Sequence, residues 1–137
     1  MNNMKRYLLL LTALVLVHIT SCTKQSLPSI SLSSDKEDVT VTSYNNSVAF
    51  TLSWEKTGGN AEISQIYIQF SPDKEFVSPY VLRSSGDSFI VTFKDLKKIQ
   101  DYFGILNNYT LIIRMLAEGE GVSSVYSNKV RVNINIE

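Results

Sequence analysis

The sequence predicts an all-β chain, a two-sheet antiparallel β-sandwich with one short helix between two late strands. Three observations predict it. From Val39 onward apolar and polar residues alternate in short runs, the pattern of strands with one buried and one solvated face. Clusters of Asn, Gly, Pro, Ser and Asp separate the runs, as turns between short strands require. One stretch, Lys94 to Phe103, carries apolar residues at spacings of three and four instead, the period of a helix face.

The elements follow in order. Thr23 to Ser34 is polar and Ser-rich, with Pro28 and a short alternation at Ile30 and Leu32; it reads as a tether running into a first edge strand. Val39 and Val41 form one short run, and Asn45-Asn46-Ser47 turns. Val48, Phe50, Leu52 and Trp54 then share one face, opposite Ala49, Thr51 and Ser53. Thr57-Gly58-Gly59-Asn60 breaks the chain before Ile66, Ile68 and Phe70, which alternate with Gln65, Tyr67 and Gln69. After Ser71-Pro72-Asp73-Lys74 and Pro79, Tyr80 to Leu82 reads as a short edge strand. Ser84-Ser85-Gly86-Asp87 leads into Phe89, Val91 and Phe93. Leu96, Ile99 and Phe103 define the helix face, Thr92 and Asp95 have the spacing of an N-cap pair, and Gly104 closes it. Tyr109, Leu111, Ile113 and Met115 alternate next, Gly119 and Gly121 mark a loop, and Val130, Val132, Ile134 and Ile136 form the last strand. These are seven or eight strands at the spacing of a sandwich. The expected division is residues 1–21 as a signal peptide, 22–34 as the tether and 35–137 as one domain, which suits a length of 137 residues.

The leader carries an address. Lys5 and Arg6 precede a 13-residue apolar run, Tyr7 to Ile19, broken only by Thr12 and His18. A helix crossing about 30 Å of hydrocarbon needs about 20 residues, so the run reads as a secretory signal. Its Ile19-Thr20-Ser21-Cys22 ending resembles the lipobox of bacterial lipoproteins, in which the Cys becomes an acylated N-terminus. Lasting attachment takes more than one acyl chain, at roughly 0.8 kcal/mol per buried methylene, and such a Cys carries several. A lone Cys in an exported chain also has no disulfide partner. Cys22 is therefore the expected lipidation site and the membrane, through that anchor, the first expected partner.

Composition narrows the chemistry. Removing residues 1–21 leaves 116 residues and takes Lys5 and Arg6 from the 13 basic residues, so 11 face 13 acidic ones and the net charge is −2. Such a domain offers no charge excess for nucleic acid. The one His, His18, falls in the leader, and the one Cys is Cys22. Ser-His-Asp and Cys-His catalysis and ordinary zinc sites are excluded for the body; no enzymatic activity, cofactor or metal is expected.

Two places resemble the immunoglobulin and fibronectin type III class: Trp54, ending its strand where such domains often keep a buried Trp, and Tyr109 after Leu106-Asn107-Asn108, placed like a tyrosine corner whose hydroxyl bonds to nearby backbone. A closer resemblance runs over about residues 27 to 137. Leu52-Ser53-Trp54, the strand-to-helix stretch Ser88 to Leu96, the helix ending near Gly104-Ile105, the strand from Tyr109 and the Tyr126-Ser127-Asn128-Lys129-Val130 segment follow a lipobox in this order. The order is similar to that of the N-terminal domain of the SusE family of outer-membrane lipoproteins. The resemblance implies a non-enzymatic accessory or spacer protein of a starch-like glycan uptake system, beside an outer-membrane transporter and its partner lipoprotein. In full-length members separate C-terminal modules hold starch; no position here matches them, and none of their binding residues is carried over. Surface-displayed lipoproteins of that group often carry acidic residues after the Cys, where this chain has Thr23-Lys24-Gln25-Ser26. Surface-exposed and periplasm-facing anchors both stay open.

Sugar recognition uses flat aromatic platforms. Tyr44, Tyr67, Tyr80, Tyr102 and Tyr126 lie off the expected core faces, and Tyr67, Tyr80 and Tyr126 are the candidate glycan contacts of the alternative reading, a stand-alone glycan-binding module. A third reading is an adhesion or assembly subunit sharing only the sandwich. Asp35, Glu37 and Asp38 offer oxygen ligands for calcium but lack a glycine-bearing loop spacing. The Asn45-Asn46-Ser47 and Asn108-Tyr109-Thr110 glycosylation patterns carry little weight in a bacterium. Ile112 falls on the polar side of its strand beside Arg114, a candidate for a partner-binding patch.

Overall fold

In the computed structural model, residues 24–137 are described; the signal peptide and the lipidation site expected at Cys22 lie outside them. The described chain forms strands β1 (Ser29–Ser34), β2 (Asp38–Val41), β3 (Val48–Thr57), β4 (Gln65–Ser71), β5 (Tyr80–Ser84) and β6 (Ser88–Thr92), helix α1 (Phe93–Phe103), then β7 (Tyr109–Glu118), β8 (Val125–Tyr126) and β9 (Val130–Ile136). It is an all-β sandwich with one helix between late strands. One sheet has the order β1-β3-β6 and the other β2-β9-β7-β4-β5, with β8 added to the end of β7.

The inward residues of both sheets make one continuous core. Phe50, Leu52, Ile68, Phe70, Val91, Leu111, Ile113, Met115, Val132 and Ile134 are wholly buried, and Trp54 is nearly so. The expected core-facing phase holds over β4, β7 and β9, though Gln69, Ser71 and Ile112 on the opposite face are also buried. It slips in β3, where a register shift between Val48 and Phe50 turns Val48 to solvent and Ala49 into the core. An extra residue in one strand of a pair moves everything beyond it to the other face.

One pair departs from the antiparallel expectation. β2 leaves the side of β1 and runs parallel to β9, from Asp38 opposite Asn133 to Val41 opposite Ile136. The domain also starts earlier than expected. β1 pairs with β3 along its whole length, and Leu27, Ile30 and Leu32 are buried. Ahead of it, Asn60 and Ala61 N–H groups donate to the Ser26 carbonyl and Ser26 N–H to Asn60 Oδ1 (2.9 Å). Leu27 and Pro28 lie so close to Gly119 and Gly59 that an added Cβ would sit 2.7 Å from Leu27 Cδ2 and 2.5 Å from Pro28 N. Most of the interval expected as a tether is therefore packed structure.

Helix α1 is capped as its sequence directs. Asp95 N–H donates to Thr92 Oγ1 (3.1 Å) and Thr92 N–H to Asp95 Oδ2 (3.0 Å), a capping box. The Phe93 and Lys94 N–H groups donate to the Ser47 and Asn45 carbonyls, so three of the helix's orphan donors are satisfied. Gly104 ends it at φ 68°, and Ile105 N–H donates to the Gln100 carbonyl (2.9 Å). Leu96 and Ile99 join the core. Gln100, which the helix pattern left unremarked, is also buried.

Candidate binding site on the outer face of the larger sheet

Alternation in β4 and β7 that buries Ile68 and Met115 sends Tyr67, Gln69, Arg114 and Leu116 outward. Sheet register aligns these residues across strands. Arg83 on β5, Tyr67 on β4, Leu116 on β7 and Tyr126 on β8 form one row; Val81, Gln69 and Arg114 form the next. Ser71, Ile112 and Arg131 form a third.

The loop from β4 to β5 folds back over this face. Ser71 Oγ accepts from Asp73 N–H (3.2 Å), and Asp73 Oδ1 accepts from the N–H groups of Glu75 and Phe76, both at 3.0 Å. Phe76 sits at φ 53°, left-handed backbone that costs a residue with a Cβ roughly 1–2 kcal/mol. The compensation is burial: Phe76 is 5% exposed, with its ring centre 4.2 Å from the Arg114 guanidinium. The Tyr126 ring centre lies 4.0 Å from the same guanidinium. Arg114 Nε donates to Gln69 Oε1 (2.8 Å). Lys129 Nζ donates to the Lys74 carbonyl (2.8 Å) and stands 5.5 Å from the Phe76 ring; Arg83 lies 5.8 Å from the Tyr67 ring. The result is a clamped guanidinium with aromatic and cationic neighbours.

This geometry rearranges the sequence-based candidates. Tyr67 and Tyr126 come together through Leu116, half-buried and exposed respectively. Tyr80 does not join them. It is half-buried on the core side, packed near Phe70 (6.4 Å between ring centres) and edge-on to Tyr102 (5.4 Å), because the β4–β5 register sets it opposite the core residue Phe70. Ile112, expected to be exposed, is 5% exposed. Like Phe76 it is buried yet outside the contiguous core, on the face that the β4–β5 loop covers. Phe76 escaped the sequence reading because nothing local marks a loop residue as returning to a sheet.

The remaining candidates have structural roles. Tyr109 does not make a tyrosine corner to backbone: Gln100 Nε2 donates to its hydroxyl (3.3 Å), while the Tyr44 hydroxyl donates to Gln100 Oε1 (2.6 Å). Burial pushes the Tyr109 pKa up to about 12, against the opposing hydrogen bond from Gln100. Asp35 and Asp38 do not converge on a common point; Asp35 accepts from Thr51 N–H and Asp38 from Asn133 Nδ2, and no metal-holding cluster occurs among the described residues. The Tyr126–Val130 segment joins the sheets. Ser127 exchanges bonds with Met115, its N–H to the Met115 carbonyl and Met115 N–H to its Oγ (2.8 Å). Asn128 Oδ1 accepts from Leu32 N–H (2.7 Å) and Asn128 Nδ2 donates to the Leu32 carbonyl (2.9 Å).

No helix among the described residues is long and apolar enough to cross a membrane. No family model and no curated protein matches the chain.

Proposed function

We propose that the chain is a non-enzymatic, lipid-anchored accessory protein of a polysaccharide-uptake system, of the SusE kind, held at the outer membrane near a transporter and its partner lipoprotein and working by position. The observation that carries the proposal is how short the link to the anchor is. Ser26 is tied through its backbone to Asn60 and Ala61, and Cys22 stands four positions earlier in the sequence. Four extended residues reach at most about 14 Å. An acylated Cys22 therefore holds the sandwich against the headgroups, at the height of a membrane-embedded partner. The ordered resemblance from Leu52 to Val130 supports the same reading, and Asn128 supplies a physical reason for its Tyr-Ser-Asn-x-Val segment. Affinity purification of the tagged chain from detergent-solubilised outer membranes tests it: a transporter and a second lipoprotein are expected in the eluate, and their absence at native expression counts against the assignment.

A second reading, a glycan-binding module, is favoured by the alignment of Tyr67 and Tyr126 across Leu116. Its candidates reduce to those two tyrosines, since Tyr80 packs on the core. Native electrophoresis through gels containing a neutral starch-type glucan separates the readings, because the accessory reading predicts unchanged migration.

A further inference from the structure

We propose that the outer face of the larger sheet is a binding site for an acidic polysaccharide, with Arg114 as the group that takes a uronate carboxylate. The inference rests on the glycan-uptake reading for its choice of a saccharide over another polyanion; the site itself rests on the side chains.

An arginine fork has five N–H donors and fits a planar carboxylate in two parallel bonds. Arg114 is half-buried, and its donors that no protein group takes are open to solvent or to a ligand. Among the described residues Gln69 takes the Nε donor, leaving four, and the two ion pairs there, Lys56–Asp87 and Lys97–Asp101, do not include it. Its guanidinium is held between Phe76 and Tyr126 at 4.2 and 4.0 Å. Stacking fixes the plane of the fork while leaving its edge for an in-plane acceptor. The backbone supports this placement at a cost, since Phe76 reaches the guanidinium from left-handed geometry, and strain of that kind gathers at functional sites.

The surroundings match an anionic sugar chain better than a protein partner. Lys129 and Arg131 are exposed beyond Arg114, and Arg83 is exposed beyond Tyr67. Lys74, Arg83, Arg114, Lys129 and Arg131 outnumber Glu118 on the same face of β7 and Asp73 and Glu75 in the covering loop, a local excess of base within a body of net charge −2, the 11 basic against 13 acidic residues that remain once residues 1–21 are set aside. Tyr67 and Tyr126 are two strand spacings apart, about 10 Å, and place aromatic surface on both sides of Leu116 along one row. Protein hot spots centre on a desolvated apolar pocket; here Phe76 and Ile112 are already buried, and Tyr126, Lys129 and Arg131 are what the site exposes.

The test is native electrophoresis of the detergent-solubilised full chain through gels cast with polygalacturonate, with neutral amylose, or with neither. Retardation is expected in polygalacturonate alone. Arg114→Gln should weaken it at least ten-fold and Arg114→Lys, which keeps charge without the fork, by several-fold, with melting temperatures measured in parallel. Should Arg114→Gln fail to fold, the pair Arg114→Lys and Tyr126→Ala decides. Undiminished retardation in the folded variants overturns the proposal, as does equal retardation in amylose or none in polygalacturonate. Equal competition by poly-glutamate also overturns it, since the face would then serve acidic protein segments. Failure of the accessory reading is seen separately, as loss of the transporter from affinity eluates with gel retardation intact.

Discussion

Asn128 stands in for a missing strand. β1 is the edge of its sheet, and an unpaired edge exposes backbone donors and acceptors. The Asn128 amide meets both polar groups of Leu32 at 2.7 and 2.9 Å, as a neighbouring peptide would, and ties β1 to the segment between β8 and β9. Removing the amide orphans two part-buried backbone groups at once. Asn128→Ala is expected to lower unfolding stability by about 1–3 kcal/mol, read as a lower urea midpoint at unchanged slope. Asn128→Asp should not rescue it, because a carboxylate accepts from Leu32 N–H but repels the Leu32 carbonyl. Tyr109 yields a second residue-scale test. Its pKa is raised by burial to about 12 from the ordinary phenol value of 10.0, so the folded state favours the neutral phenol. Below pH 10 the phenol is neutral in both states and the contribution is fully present. As the pH climbs from 10 to 12 the unfolded chain ionises first, and stability on the order of 2 kcal/mol is lost across that window. Chemical denaturation of the wild type and Tyr109→Phe at pH 9, 10, 11 and 12 checks it: the variant should show the shallower decline.

At the scale of elements, α1 is the part of the fold most completely determined by local residues. Thr92 and Asp95 cap it reciprocally, and Thr92→Ala is expected to cost about 1 kcal/mol. Gly104→Ala should cost about 1–2 kcal/mol from its left-handed backbone alone, since an added Cβ there meets nothing within 4 Å; both are measurable as shifts of the denaturation midpoint, and a neutral Gly104→Ala would mean the cap rearranges. These features were legible in the sequence because every interaction spans a few residues. The same holds for the core-facing residues of β4, β7 and β9, which keep period two, whereas Gln69, Ser71 and Ile112 on the other face are buried as well. Legibility failed wherever distant chain segments decide. The slip at Val48 and Phe50 shows only in the pairing with β6, where Val48 lies opposite Thr92 and Phe50 opposite Val91. Gln100 looks like a solvated helix position until Tyr44, 56 residues away, bonds to it. Ile112 looks exposed until the loop carrying Phe76 lies over the outer face. For the candidate site, Tyr67 and Tyr126 were visible as aromatic residues on polar faces. Their alignment, the inward phase of Tyr80, and the clamping of Arg114 between Phe76 and Tyr126 required register across three strands and a loop that returns.

For the whole molecule, the proposed anchor at Cys22 would make height above the bilayer a property that can be varied. With Ser26 fixed to the β3–β4 loop, an acyl anchor at Cys22 as proposed would leave the sandwich little freedom to rise or drift, and an anchored partner would meet it at high effective concentration. Cys22→Ala, if the Cys is acylated, should move the chain from the membrane pellet to the soluble fraction after an alkaline wash, and retention in the pellet would show another mode of attachment. A subtler variant separates anchoring from placement. Inserting 20 Gly/Ser residues between Lys24 and Gln25 adds a flexible coil with a root-mean-square span of about 25 Å while leaving the packed segment from Ser26 onward intact. Membrane association and melting temperature should stay as in the wild type, because neither the acyl chains nor the core is touched. Transporter recovery in the affinity eluate should fall several-fold, because the domain now samples a larger volume above the membrane. Full recovery with the insertion would mean that contacts strong enough to act without the tether hold the complex together, and position would no longer explain what the domain does.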